Sequence, residues 1–96
     1  MIIIITEPAS QKTINNKWYV YIVECKDKSL YTGITNNLEK RIETHNSGKG
    51  AKYTRARRPI KLKYYEEINS KSLALKREFA IKQLTRAQKI RLINNL

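Results

Sequence analysis

The run Trp18 to Cys25, WYVYIVEC, is aromatic and β-branched almost throughout, the composition that strands favour. Alternation sends Tyr19, Tyr21, Val23 and Cys25 to one face and Trp18, Val20 and Ile22 to the other. Both faces are apolar, which predicts a strand covered on each side. Lys26-Asp27-Lys28-Ser29 is a polar break of hairpin length, and Leu30 to Ile34 returns as the partner strand. The period then lengthens. Asn36 or Asn37 can cap a helix running to about Ser47, which Gly48 and Gly50 end. Its inward stripe is Leu38 and Ile42, with His45 on the stripe's edge and Arg41 its neighbour one turn back; Glu39 and Glu43 point outward. After a basic loop closed by Pro59, Leu62 to Ile68 reads as a third strand, with Leu62, Tyr64 and Ile68 on one face. Ser70 or Ser72 opens a helix to about Leu84. Thr85 and Gln88 match a capping box that starts a last helix ending near Asn95.

The order β-β-α-β-α-α predicts a small α+β layer structure in which helices flank a sheet. Residues 18–96 form the expected domain. Residues 1–17 differ in pattern: an isoleucine run stopped by Pro8, then a polar tract. Four consecutive isoleucines can add an edge strand or pair between chains, and they carry no chemistry of their own.

Composition narrows the function. Ninety-six residues make one domain, and 41% apolar residues supply a modest core. Twenty Lys and Arg against eight Asp and Glu give a net charge of +12 and a pI near 10.0. In so short a domain that balance points to a polyanion partner, above all nucleic acid. The charge concentrates between Lys49 and Lys63, a stretch with no acid. Lys49, Lys52, Arg55, Arg57, Arg58 and Lys61 are the expected phosphate contacts, and Tyr53 and Thr54 add groups able to stack or hydrogen-bond. A single cysteine, Cys25, excludes an internal disulfide and a CxxC metal site, and its place in the first strand predicts an inert buried thiol. No apolar run approaches transmembrane length and Ile2 to Ile5 is too short for a signal-peptide core, so a cytoplasmic location is expected.

Glu78 is the only acid from Asn69 to the C-terminus, in a segment with seven Lys and Arg. Helical spacing places it beside Ala74, Leu75 and Phe79, on a packed side, where an unpaired carboxylate is costly. An i,i+4 pair with Lys82 accounts for it structurally. The tyrosines likewise have an ordinary reading as core aromatics with a hydroxyl at the rim.

A resemblance changes the weight of these readings. Tyr19-Val20-Tyr21 followed by Tyr31-Thr32-Gly33, then TGITNNLEKRIETHNSGKGAKYTRARRP and an ALKRE segment, resembles the GIY-YIG nuclease superfamily, and within it the small single-domain bacterial proteins. The likeness covers Trp18 to Ile93. It implies a three-stranded antiparallel sheet carrying helices, and Mg²⁺-dependent (or Mn²⁺-dependent) hydrolysis of phosphodiester bonds, in DNA ahead of RNA. Glu78 matches the family's metal-binding glutamate. Tyr21 and Tyr31 match its motif tyrosines and are both candidates for the general base. Arg41 matches a phosphate or transition-state clamp, and His45 a group that orients water or donates to phosphate. A tyrosine can take a proton from water only if its pKa falls from about 10, and Arg41, His45 and a metal are expected to push it that way. Three departures stand out: Tyr19 fills the first motif's glycine position, Ile34 replaces a lysine found in several relatives, and the family's late asparagine has no clear match. They leave open a second reading, a binding module that has lost activity or acts with a partner. A basic protein that merely coats RNA would leave Glu78 unexplained.

Overall fold

Strand β1, Trp18–Glu24, occupies the centre of the sheet, and both of its apolar faces are covered as expected. The computed structural model describes residues 17–95. Along them run β1, β2 (Leu30–Thr35), helix α1 (Leu38–Asn46), a single helical turn α2 (Lys52–Arg55), β3 (Lys61–Ile68), α3 (Lys71–Lys82) and α4 (Arg86–Asn94). The sheet order is β2-β1-β3 with both pairings antiparallel, so the expected α+β architecture and element order hold. The isoleucine run, able to add an edge strand or to pair between chains, lies outside the described residues.

Each face of β1 has its own core. Val20 and Ile22 join Tyr64 of β3 with Ala74 and Ile81 of α3, flanked by Leu84, Leu92 and Ile93. Tyr21, Val23 and Cys25 face the other way with Ile60, under Tyr31 of β2 and Leu38 and Ile42 of α1. Burial pushes the Cys25 thiol up, in keeping with an inert core cysteine. The hairpin turn places Lys28 at φ 72 and closes with Cys25 N–H donating to the Ser29 carbonyl at 2.8 Å.

The caps follow the sequence. Asn37 accepts from Lys40 N–H to open α1, Ser70 accepts from Leu73 N–H to open α3, and Thr85 with Gln88 forms a complete capping box at α4. Gly48, at φ 89, carries the chain away from α1.

Three expectations are corrected. A bulge between the partners of Ile22 and Val23 sets Tyr64 opposite Ile22 but Leu62 opposite Val23, so Leu62 does not share the face of Tyr64. Leu75 and Phe79, expected on the packed side of their helix, are 46% and 68% exposed, and only Ala74 and Ile81 are buried there. The basic stretch is not all loop. Its turn α2 buries Thr54 completely. Among the described residues no helix is long and apolar enough to cross a membrane.

Candidate active site

Tyr21 leaves the central strand on the second face and lies across its cross-strand partner Gly33 on the edge strand β2. A Cβ at Gly33 would sit 2.6 Å from the Tyr21 hydroxyl oxygen and 2.8 Å from Cζ. The glycine of Tyr31-Thr32-Gly33 is thus the space that the tyrosine ring occupies, the close approach that a glycine in a strand permits. The ring is buried, and its Oη meets two groups from α1: His45 Nε2 at 2.8 Å and the Arg41 Nε–H at 3.4 Å. One helical turn separates Arg41 and His45, so a single face of α1 delivers both.

His45 goes deeper than the edge position expected for it. It is wholly buried. Its Nδ1 lies 2.8 Å from Thr54 Oγ1, and the Thr54 hydroxyl in turn reaches the Ala51 carbonyl at 3.0 Å. The chain between α1 and α2 closes over the imidazole: a Cβ at Gly50 would come within 2.5 Å of His45 Nδ1 and 2.8 Å of its Cα. Tyr31 stands edge-on to the same ring, centroids 5.6 Å apart. Tyr53 stacks on Tyr31 at 6.0 Å, and the Arg57 guanidinium carbon lies 3.9 Å from the Tyr53 centroid.

Burial dominates the electrostatics. It lowers the His45 imidazole to about 4, with the Arg41 charge adding to the effect, so the ring is neutral near pH 7. It also raises the Tyr21 hydroxyl above its usual value. The hydrogen bond from Arg41 and the Arg41 charge oppose this without overcoming it, while Tyr31 and Glu78 add to the rise. The expectation that the surroundings depress a tyrosine here is therefore reversed in the free protein. Desolvation outweighs one arginine at 3.4 Å.

Glu78 arrives on α3, which packs on the opposite face of the sheet from α1. Its carboxylate is near enough to act electrostatically on Tyr21. Its side chain is 18% exposed and paired with Lys82 Nζ at 3.1 Å, the i,i+4 contact expected from sequence. Among the described residues no three His, Cys, Asp or Glu side chains gather to enclose a metal ion. A lone carboxylate still suits a hard divalent ion that keeps most of its waters and takes phosphate oxygens as further ligands.

The basic residues divide. Lys49, Lys52, Arg55 and Lys61 are exposed. Arg57 is held by Asp27 of the hairpin turn at 3.1 Å and by the Tyr53 carbonyl at 2.8 Å, and Arg58 donates to the Arg55 carbonyl at 2.9 Å. These two are tied into the fold, a difference from a uniformly free basic loop. Asp27, Gly50 and Thr54 are the neighbours that sequence reading did not attach to the site. Thr54 stood out only as a hydrogen-bonding group within a basic run, and nothing in its nine-residue separation from His45 signals the contact.

A family model described as the GIY-YIG catalytic domain matches residues 17–91. The chain is 61% identical over 77 residues to a UPF0213 protein of Staphylococcus haemolyticus, covering 80% of this chain and 94% of that one. A UPF0213 protein of Clostridium perfringens is 62% identical over 77 residues, covering 80% and 83%. Among solved structures, the solution structure of a UPF0213 protein from Bacillus halodurans is similar at 47% identity and TM-score 0.54, covering 81% of this chain and 83% of that one. A solution structure from E. faecalis is similar at 40% identity and TM-score 0.58, covering 83% and 85%.

Proposed function

Because the chain belongs to the GIY-YIG family, we propose that it is a divalent-metal-dependent endonuclease that hydrolyses phosphodiester bonds in DNA. The observation that carries this reading is the buried Tyr21 hydroxyl, held between Arg41 and His45 and coupled to Glu78.

Tyr21 is the general base in this scheme. A water beside its Oη loses a proton to that oxygen as the water oxygen attacks phosphorus, and the tyrosine passes its own proton to His45 Nε2, 2.8 Å away. The neutral imidazole that burial enforces is the form able to accept. Arg41 steadies the developing charge on Oη and clamps the phosphate, whose negative charge offsets the repulsion between Arg41 and a protonated His45. Tyr31 packs on the imidazole edge and, with Tyr53 behind it, fixes the wall of the site. Mg²⁺ or Mn²⁺ would be held by Glu78 and would supply charge neutralisation at the phosphate and the leaving oxygen. The Lys82 partner is no obstacle, since its ammonium is half-exposed on a flexible stem and can swing away from an incoming cation. Lys49, Lys52, Arg55 and Lys61 track the phosphate backbone, which gives salt-dependent affinity without base selection.

Purified protein is expected to cut DNA with Mg²⁺, while Glu78→Gln binds the same DNA and does not cut. Equal cutting by both would trace the activity to a contaminant and refute the assignment. The alternative, a fold that binds without cutting, is favoured by Ile34, which stands where several relatives carry a lysine. Steeply salt-dependent binding with no cleavage under any divalent metal would establish it.

A further inference from the structure

Thr54 falls within the quoted motif segment without a role of its own, yet it is a wholly buried polar side chain with its hydroxyl on the catalytic histidine's far nitrogen. Two proton arrangements connect Ala51, Thr54, His45, Tyr21 and Arg41. In the first, the Thr54 hydroxyl donates to the Ala51 carbonyl, Nδ1–H donates to Thr54 Oγ1, and the Tyr21 hydroxyl donates to the bare Nε2. Arg41 Nε–H then donates to Tyr21 Oη. Every proton in the chain has an acceptor. In the second, the Thr54 hydroxyl donates to Nδ1 and Nε2–H donates to Tyr21 Oη. That oxygen then takes two donors, and its own proton loses its acceptor within a buried site. The first arrangement leaves nothing unpaired while Tyr21 is protonated.

We propose that Thr54 is a positioning residue that holds His45 in its Nδ1–H tautomer and thereby makes Nε2 the acceptor for the Tyr21 proton. The reasoning is the general one that a neutral imidazole's tautomer is set by the hydrogen bond its other nitrogen makes. The fold supports it twice. Ala51 immediately precedes α2, and its carbonyl fixes the Thr54 hydroxyl's direction, leaving the Thr54 oxygen lone pairs toward the imidazole. The chain at Gly50 passes so close to Nδ1 that an added Cβ there would clash with it at 2.5 Å, which narrows the space beside that nitrogen. The charged and titratable groups facing the ring are Arg41 from α1, Tyr21 from β1 and Tyr31 from β2, and none of them meets Nδ1. The consequence for catalysis rests on the nuclease reading; the tautomer itself does not.

His45 is the only histidine in the chain, so its two ring nitrogens can be observed in the full-length ¹⁵N-labelled protein without ambiguity. The wild type is expected to show a protonated Nδ1 and a bare Nε2. Thr54→Val, which keeps the shape and removes the acceptor, is expected to populate the Nε2–H form, and Thr54→Ser to restore the wild-type pattern. With DNA as substrate, Thr54→Val should lower kcat roughly 10- to 100-fold with little change in KM, and Thr54→Ser should recover most of it. A wild-type ring protonated on Nε2 overturns the proposal, and that spectrum needs no variant to fold. So does a folded Thr54→Val protein that keeps the wild-type tautomer, or one that changes tautomer and cleaves as fast as the wild type. A wild type that cuts no DNA refutes the nuclease reading instead, and the spectra then decide the role of Thr54 alone.

Discussion

Burial of His45 makes the protein's stability depend on pH in a window where few other groups titrate. The folded imidazole releases its proton near about 4, against 6.5 for an exposed ring. Between those values the unfolded chain binds a proton that the folded chain does not. Stability therefore stands at its full value above about pH 6.5, falls as the pH drops, and stops falling on this account below about pH 4. Each unit of difference is worth about 1.4 kcal/mol, so the full loss is about 3 kcal/mol, of which about 2 kcal/mol falls between about pH 7 and about pH 5. The two carboxylates held low by their partners, Asp27 by Ser29 and then Arg57 and Glu66 by Arg77, begin to cost stability only near their unfolded values of 3.8 and 4.5. With a single histidine in the chain, the window above about pH 5 belongs to His45. Urea unfolding at the two pH values should give wild-type stabilities differing by about 2 kcal/mol, and His45→Gln, whatever its own cost, should show almost no difference. A wild-type change under about 0.5 kcal/mol, or the same change in the variant, would refute the claim that this ring is buried neutral.

Three other substitutions probe separate parts of the fold. Gly33→Ala places a Cβ 2.6 Å from the buried Tyr21 hydroxyl, so it should cost about 1–3 kcal/mol in thermal or chemical unfolding and abolish cleavage through the displaced tyrosine. Thr32→Val should stabilise the protein by about 1 kcal/mol, because Thr32 Oγ1 is buried with no partner; a loss of stability on unfolding would expose a missed hydrogen bond. Thr85→Ala removes the capping box of α4 and should cost about 1 kcal/mol while leaving cleavage unchanged, since Leu92 and Ile93 of α4 pack in the core on the face of β1 away from Tyr21.

Sequence alone determined most of the architecture, because local chemistry dictates it. The two-sided apolar pattern of Trp18 to Cys25 requires a strand covered on both faces, and it is one. Asn37, Ser70 and the Thr85–Gln88 pair cap helices where their side chains can satisfy the first free N–H groups, an interaction confined to a few residues. The paired tyrosine motifs, Arg41, His45 and Glu78 were legible as a set, and four of them, Tyr21, Tyr31, Arg41 and His45, meet on one face of the sheet. Features set by non-local contact were not legible. The bulge that turns Leu62 away from Tyr64 comes from pairing with β1, and the exposure of Phe79 from how α3 settles on the sheet. The sign of the Tyr21 shift needed three-dimensional burial, since a list of neighbouring charges carries no desolvation. Thr54 and Gly50 close over His45 only once the chain past Gly48 folds back on α1. That contact depends on the tertiary path of the backbone, and no local pattern of residues records it.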